Sequence, residues 1–348
     1  MTTSAQHTLT LCTPDPNERL HPARDILNSN GADHARMRRL LAHCFSDKAL
    51  RDQEPIVMEY INLLITKLTE KANLGTPCDM TAYYNYTTFD ILGDLAYGEP
   101  FGALEQQGFH PFIETLLGTL KLFGKVGAIG LTPVLSQLFT VVARVTDAGS
   151  WERRKFHKHA TDLVARRMSK QTDKQDFFSH IIRHNDDRGL SRVELEANTE
   201  ILVAAGSETS ATALSAMTYH LLQNPDCLAT LQTEVRGSFK TTTDITPTAA
   251  LQLPYLRAVI EESMRLHPSA PGPLVRETMK MEIIDGVVIP PHTHVSIANY
   301  TAFHTAAYFR DPESFAPERW TGDDKYKDDV RAAFQPFSQG LRNCIGRR

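Results

Sequence analysis

The feature that most constrains this chain is Ser191-Arg-Val-Glu194 followed by an apolar stretch that does not stop until Asn224-Pro225. A serine three residues ahead of a glutamate can exchange hydrogen bonds with the first backbone N–H groups of a helix, and Asn-Pro ends one. Residues 191–223 therefore predict one helix, long enough at about 1.5 Å per residue to cross a whole domain. From about Asp33 to Phe239 apolar residues recur at helical spacing, as in Ile56, Met58, Ile61, Leu64, Ile65 and Leu68. Another helix starts at Pro225, and one over residues 256–267 stops before Pro268. Beyond it the texture changes. Met281-Glu-Ile-Ile-Asp-Gly-Val-Val-Ile-Pro290 is β-branched around an Asp-Gly turn and predicts a hairpin, with a short strand from His294. The fold class is mainly α with a small β region.

With 348 residues, 41% of them apolar and 22% charged, the chain can bury a large core. No linker or repeat divides it, so residues 1–348 are expected to form a single domain, with 1–30 as an atypical leader. Lys and Arg number 37 and Asp and Glu 41, a net charge of −4 with no dense basic stripe, which argues against nucleic acid as a partner. No signal peptide opens the sequence and no 18-residue apolar span occurs in it, so no membrane anchor is expected in this chain. Cys12, Cys44, Cys78, Cys227 and Cys344 are far apart and odd in number, which suits neither a disulfide framework nor a zinc site. A reducing, cytosol-facing environment is the default, and four of the five are expected to be ordinary small residues.

The fifth carries the strongest motif, Phe337-Ser-Gln-Gly340-Leu-Arg342-Asn-Cys344-Ile-Gly346. Over ten residues it resembles, without a departure, the haem-binding loop of the cytochrome P450 family. A thiolate ligand must be kept anionic while shielded from water, which calls for backbone N–H groups turned toward the sulfur and for glycines that allow the turn, here Gly340 and Gly346. The resemblance implies Cys344 as axial ligand of haem iron, its electron donation favouring O–O cleavage. It also implies Phe337 as a shield for the sulfur and Arg342 as a propionate contact. The competing reading is a buried cysteine in a glycine-containing turn.

Three further motifs stand in family order. Ala205-Gly206-Ser207-Glu208-Thr209-Ser210 lies midway along the long helix and matches the family's oxygen-activation sequence. Gly206 would let a ligand approach the backbone, and Glu208 and Thr209 are the candidate catalytic pair, an acid and a hydroxyl for proton delivery. Alone, such a string is more often a solvated face or a local kink. Glu262-Ser-Met-Arg265 and Phe315-Ala-Pro-Glu-Arg319-Trp320 suggest a buried Glu262–Arg265–Arg319 triad, which in the family is structural; an exposed Glu–Arg pair is the alternative. His34-Ala-Arg-Met-Arg38-Arg39 puts His34 and Arg38 on one helix face, and the family uses such a pair, more often with Trp first, to hold a haem propionate. Arg276 matches another propionate position, whereas Arg36 and Arg39 read as solvent-exposed.

The resemblance runs from about residue 30 to the end. It implies a cytochrome P450 fold, incomplete here because the N-terminal part and the helix after the Cys loop are missing. It implies haem b, electrons from NADPH through NADPH-cytochrome P450 reductase, and a lipophilic small-molecule substrate. The family usually resides at the endoplasmic reticulum membrane. Asp33-His-Ala-Arg-Met-Arg-Arg and Ala333-Phe-Gln-Pro-Phe-Ser resemble fungal members of secondary metabolism. A truncated, non-catalytic remnant with poor haem binding is the alternative function, and a haem carrier without turnover a third; Glu208 and Thr209 argue against the carrier.

Overall fold

The computed structural model describes residues 9–11, 23–118, 150–170, 174–183 and 189–347; Cys12 and most of the 1–30 leader lie outside them. Contacts divide the chain into two compact units, Pro14–Ser207 and Met1–Thr13 with Glu208–Arg348. The helix α7, Arg192–Gln223, contains that boundary. Its capping box is formed: the Ser191 N–H donates to Glu194 Oε2 at 2.9 Å and the Glu194 N–H donates to Ser191 Oγ at 3.3 Å.

The Pro14–Ser207 unit is helical. It contains α1 (Gly31–Ala42), α2 (Asp47–Asn73), α3 (Met80–Tyr97), α4 (Ala103–Gln106), α5 (Ser150–Ser169) and α6 (Phe177–Arg183). Asp79 caps α3 by accepting from the Ala82 N–H at 3.2 Å, and Gly98 ends it at φ 70°. A side chain at Gly98 would start 2.7 Å from Arg167 Cδ, so glycine serves both the left-handed turn and the close approach. That approach is fixed by a buried pair, Arg167 donating to both Asp176 oxygens at 2.8 and 3.0 Å. Phe89, Leu104, Ile113 and Leu116 are buried in this unit, each worth about 1.5–3 kcal/mol of transfer free energy.

In the second unit α7 is followed by α8 (Pro225–Ser238), α9 (Pro247–Ala250) and α10 (Pro254–Leu266). No residue of its own caps α10. Glu234 of α8 does so instead, its carboxylate accepting from the Tyr255 and Leu256 N–H groups at 2.8 Å each. The small sheet has the order β1 (Leu9–Leu11), β2 (Arg276–Thr278), β5 (His294–Val295), antiparallel throughout. The leader thus supplies a strand that three alternating residues were too short to announce. The hairpin is β3 (Glu282–Ile284) and β4 (Val287–Ile289), with Asp285 and Gly286 both at positive φ, as a tight turn matched to strand twist requires. Two short helices, α11 (Asn299–Phe303) and α12 (Glu318–Thr321), precede the Cys loop.

Candidate cofactor-binding site

The loop that carries Cys344 is closed by its own backbone. The Ser338 N–H donates to Gln335 at 3.0 Å, the Asn343 N–H to Gly340 at 3.1 Å, and the Cys344 N–H to the Phe337 carbonyl at 2.8 Å. The last bond brings Phe337 and Cys344 side by side. Ser338 and Gly340 turn the chain at φ 58° and 76°, a conformation that glycine adopts freely and serine at a cost of about 1–3 kcal/mol. Arg342 ends the intervening 3₁₀ turn, Gly340–Arg342, and is half-buried, while Gly346 and Cys344 are exposed. An exposed thiol on a short, internally bonded loop could supply a single ligand to a cofactor metal.

The loop is braced from behind. Glu262, Arg265 and Arg319 have fully buried side chains. Arg265 donates to both Glu262 oxygens at 2.9 Å, and Arg319 Nε lies 3.4 Å from the same carboxylate. Glu262 also accepts from the Ala316 N–H at 3.0 Å and from Trp320 Nε1 at 2.9 Å. The remaining arginine donors reach carbonyls: Arg265 those of Phe303, Pro312 and Ser314, and Arg319 that of Arg310. Two carboxylates balance two guanidiniums, because Arg319 also bonds the buried Asp329. The Trp320 and Phe303 rings pack on Phe334 at 4.8 and 5.1 Å between centroids, three residues before Phe337. The cluster therefore holds the strand of chain that enters the Cys loop. The motifs alone point neither to Asp329 nor to a role for the Trp320 indole: ten residues of helix or strand would hold Arg319 and Asp329 about 15 Å or more apart, so only the irregular chain between them brings the two together.

Arg276 begins β2 and is half-buried, and burial lowers its pKa. Among the described residues its guanidinium has a bond to the Val275 carbonyl at 3.2 Å and no carboxylate partner. A partly desolvated cation of that kind fits an anionic group of a ligand. On α7, Glu208 is half-buried and Thr209 exposed, and the Thr209 carbonyl accepts from Ser269 Oγ at 2.8 Å.

In the other unit, His34 is buried and Arg38 half-buried, one turn apart on α1. Arg36 is not the free surface cation that the sequence suggested. It donates to the Gly189 carbonyl at 2.6 Å and to Glu194 at 2.5 Å, fastening α1 to the start of α7. The hydrogen bond to Glu194 raises the Arg36 pKa and outweighs partial burial, which lowers it; for Glu194, burial acts upward but the bonds from Arg36 and Ser191 prevail and lower it. Gly206 also differs from expectation. Leu92 of α3 occupies the space beyond it, 3.1 Å from where a Cβ would stand, and the Ser207 hydroxyl donates to the Thr88 carbonyl at 3.3 Å. The small residue serves helix packing.

A family model described as cytochrome P450 matches residues 14–348. The chain belongs to the cytochrome P450 family. Curated proteins similar to it include several from fungi. Cytochrome P450 monooxygenase astJ of Aspergillus oryzae is 40% identical over 328 residues, 92% of this chain and 65% of that protein. Cytochrome P450 monooxygenase efuB of Hormonema carpetanum is 38% identical, covering 93% and 65%, and olcB of Penicillium canescens 41%, covering 93% and 68%. The P450 chain described here spans about two thirds of the length of these relatives. Haem fits the donor set found on the second unit: one thiol presented outward by a closed loop and a half-buried arginine that has no carboxylate partner among the described residues.

Proposed function

We propose that this chain is the greater part of a haem-dependent monooxygenase that hydroxylates a lipophilic small molecule with O2, using NADPH electrons delivered by NADPH-cytochrome P450 reductase, in fungal secondary metabolism. The observation that carries the reading is the Cys344 loop, closed by the bond from the Cys344 N–H to Phe337 and holding the thiol exposed. Thiolate-ligated haem b, when bound, supplies the dioxygen-activating chemistry. Cys344 would hold it through its sulfur, Phe337 would limit water there, and Arg276 and Arg342 would neutralise its carboxylates. Glu208 would supply protons and the Thr209 hydroxyl would position them. Glu262, Arg265 and Arg319 do no chemistry; they keep the loop in register. The monooxygenase names of the fungal relatives support the reaction class.

Among the described residues no helix is long and apolar enough to cross a membrane. The cytosol-facing, endoplasmic-reticulum placement usual for the family is part of the same proposal. The test is reconstitution with haem b, a fungal reductase, NADPH and isotopically labelled O2 on a panel of polyketides and terpenoids. Label in a hydroxylated product, dependent on NADPH and reductase, is the expected result; haem uptake without labelled product from any substrate class would favour a haem carrier.

A further inference from the structure

Midway along α7 a backbone carbonyl serves a donor from outside the helix. The Ser269 hydroxyl, 60 residues further along the chain, donates to the Thr209 carbonyl at 2.8 Å. Within a helix that carbonyl accepts from the N–H four positions on, here that of Ala213, so the Ser269 hydroxyl is a second donor to one oxygen. The turn concerned carries Glu208 and Thr209, the pair to which the proposed reaction gives proton delivery.

Ser269 is presented by a stiff segment, Pro268-Ser-Ala-Pro271-Gly-Pro273, just beyond α10. Each proline fixes its own φ and pushes the residue before it toward extended backbone. The start of α11 ties the segment down: Asn299 Nδ2 donates to the Ala270 carbonyl and the Tyr300 N–H to the Pro271 carbonyl, both at 3.2 Å. Pro273 also bridges to Ala298, Pro268 is buried and Ser269 half-buried. The hydroxyl is therefore a fixed donor and not a surface group free to swing in solvent.

A side-chain donor on a ladder carbonyl draws the oxygen away from the helix axis and lengthens the bond from the following turn, a recognised origin of local opening. An acid and a hydroxyl that pass protons need such an opening to reach water. Gly206 does not supply it, since Leu92 fills the space at that glycine. The Ser269 bond also fixes the peptide that follows Thr209, and backbone angles select the rotamer of a β-branched side chain.

We infer that Ser269 is a positioning residue for proton delivery: by donating to the Thr209 carbonyl it orients the Thr209 hydroxyl and holds the turn open. The inference rests on the monooxygenase reading above. Its test compares wild type, Ser269→Ala, Ser269→Thr, Thr209→Ala and the double alanine variant as haem-loaded chains with reductase, NADPH and a substrate. Ser269→Ala should lower the ratio of product to NADPH consumed by about two- to tenfold, the population ratio that one net hydrogen bond sustains, with KM unchanged. Ser269→Thr keeps the hydroxyl and should restore the ratio, and Ser269→Ala should add no further loss to Thr209→Ala. A readout without turnover is the infrared spectrum of the chain carrying heavy carbon at its threonine carbonyls. The band that Thr209→Ser removes should move to higher wavenumber in Ser269→Ala, as loss of a donor requires. A ratio lowered by Thr209→Ala but kept in Ser269→Ala, additive losses in the double variant, or an unmoved band would overturn the inference and leave the monooxygenase reading standing. No product from wild type, or a ratio unchanged in Thr209→Ala, would overturn the proton role of Thr209 and the inference with it.

Discussion

Replacing Glu262 by Gln keeps the side-chain shape and removes the charge. Glu262 accepts two bonds from Arg265, one from the Ala316 N–H and one from Trp320 Nε1, with Arg319 Nε at 3.4 Å. The amide can still accept through its oxygen, but its NH2 must face a donor, and the cluster is left with two guanidiniums against Asp329 alone. Removing one partner of a buried pair costs about 3–5 kcal/mol, against about 5–15 kcal/mol for the stability of a whole domain. Urea denaturation followed by far-UV circular dichroism should show a loss of that size. The control is Arg192→Ala, which breaks the partly exposed pair with Glu196 and should cost less than about 1 kcal/mol. Because Trp320 and Phe303 pack on Phe334, the Gln variant should also bind haem less tightly at a urea concentration where it remains folded. A Glu262→Gln loss no greater than that of the control would refute the view that this cluster braces the loop.

Thr209→Ala should leave haem content unchanged but lower the ratio of product formed to NADPH consumed, with the balance appearing as peroxide; an unchanged ratio would make Thr209 an ordinary helix residue. The Tyr97 hydroxyl is buried without a hydrogen-bond partner among the described residues, so Tyr97→Phe should leave stability unchanged or raise it by about 1–2 kcal/mol, and a clear loss in denaturation would show a partner. Burial first, then Asp25 and Glu196, raises the Glu200 pKa well above its usual range. The folded chain therefore keeps a proton that the unfolded chain releases near pH 4.3, roughly, so this contribution to stability is complete below that pH and declines as pH rises toward the folded value. Glu200→Gln should flatten that decline; a pH-stability profile parallel to wild type would contradict it.

What was legible in the sequence was local. The capping box at Ser191 and Glu194, the Asp285-Gly286 turn and the Glu262–Arg265 spacing each depend on residues within four positions of one another, where helix and turn geometry dictate the contact. What was not legible depends on distant partners. Arg36 finds Glu194 across 158 residues, Gly206 accommodates Leu92, and Glu234 caps a helix that begins 20 residues later. Periodicity places a residue on a face but does not say which other face meets it. At the candidate site the motif alone proposes Cys344, because loop and candidate ligand are one short segment, whereas Asp329 becomes visible only when the fold brings it to Arg319.

The central claim is that the Cys344 sulfur is the ligand of the haem iron. The direct test is the carbon monoxide difference spectrum of the reduced, haem-loaded protein beside its Cys344→Ser variant. The account predicts a Soret band at about 450 nm in wild type, the signature of thiolate ligation, and its loss in the serine variant. A band that survives Cys344→Ser, or one at shorter wavelength in both proteins, would contradict it.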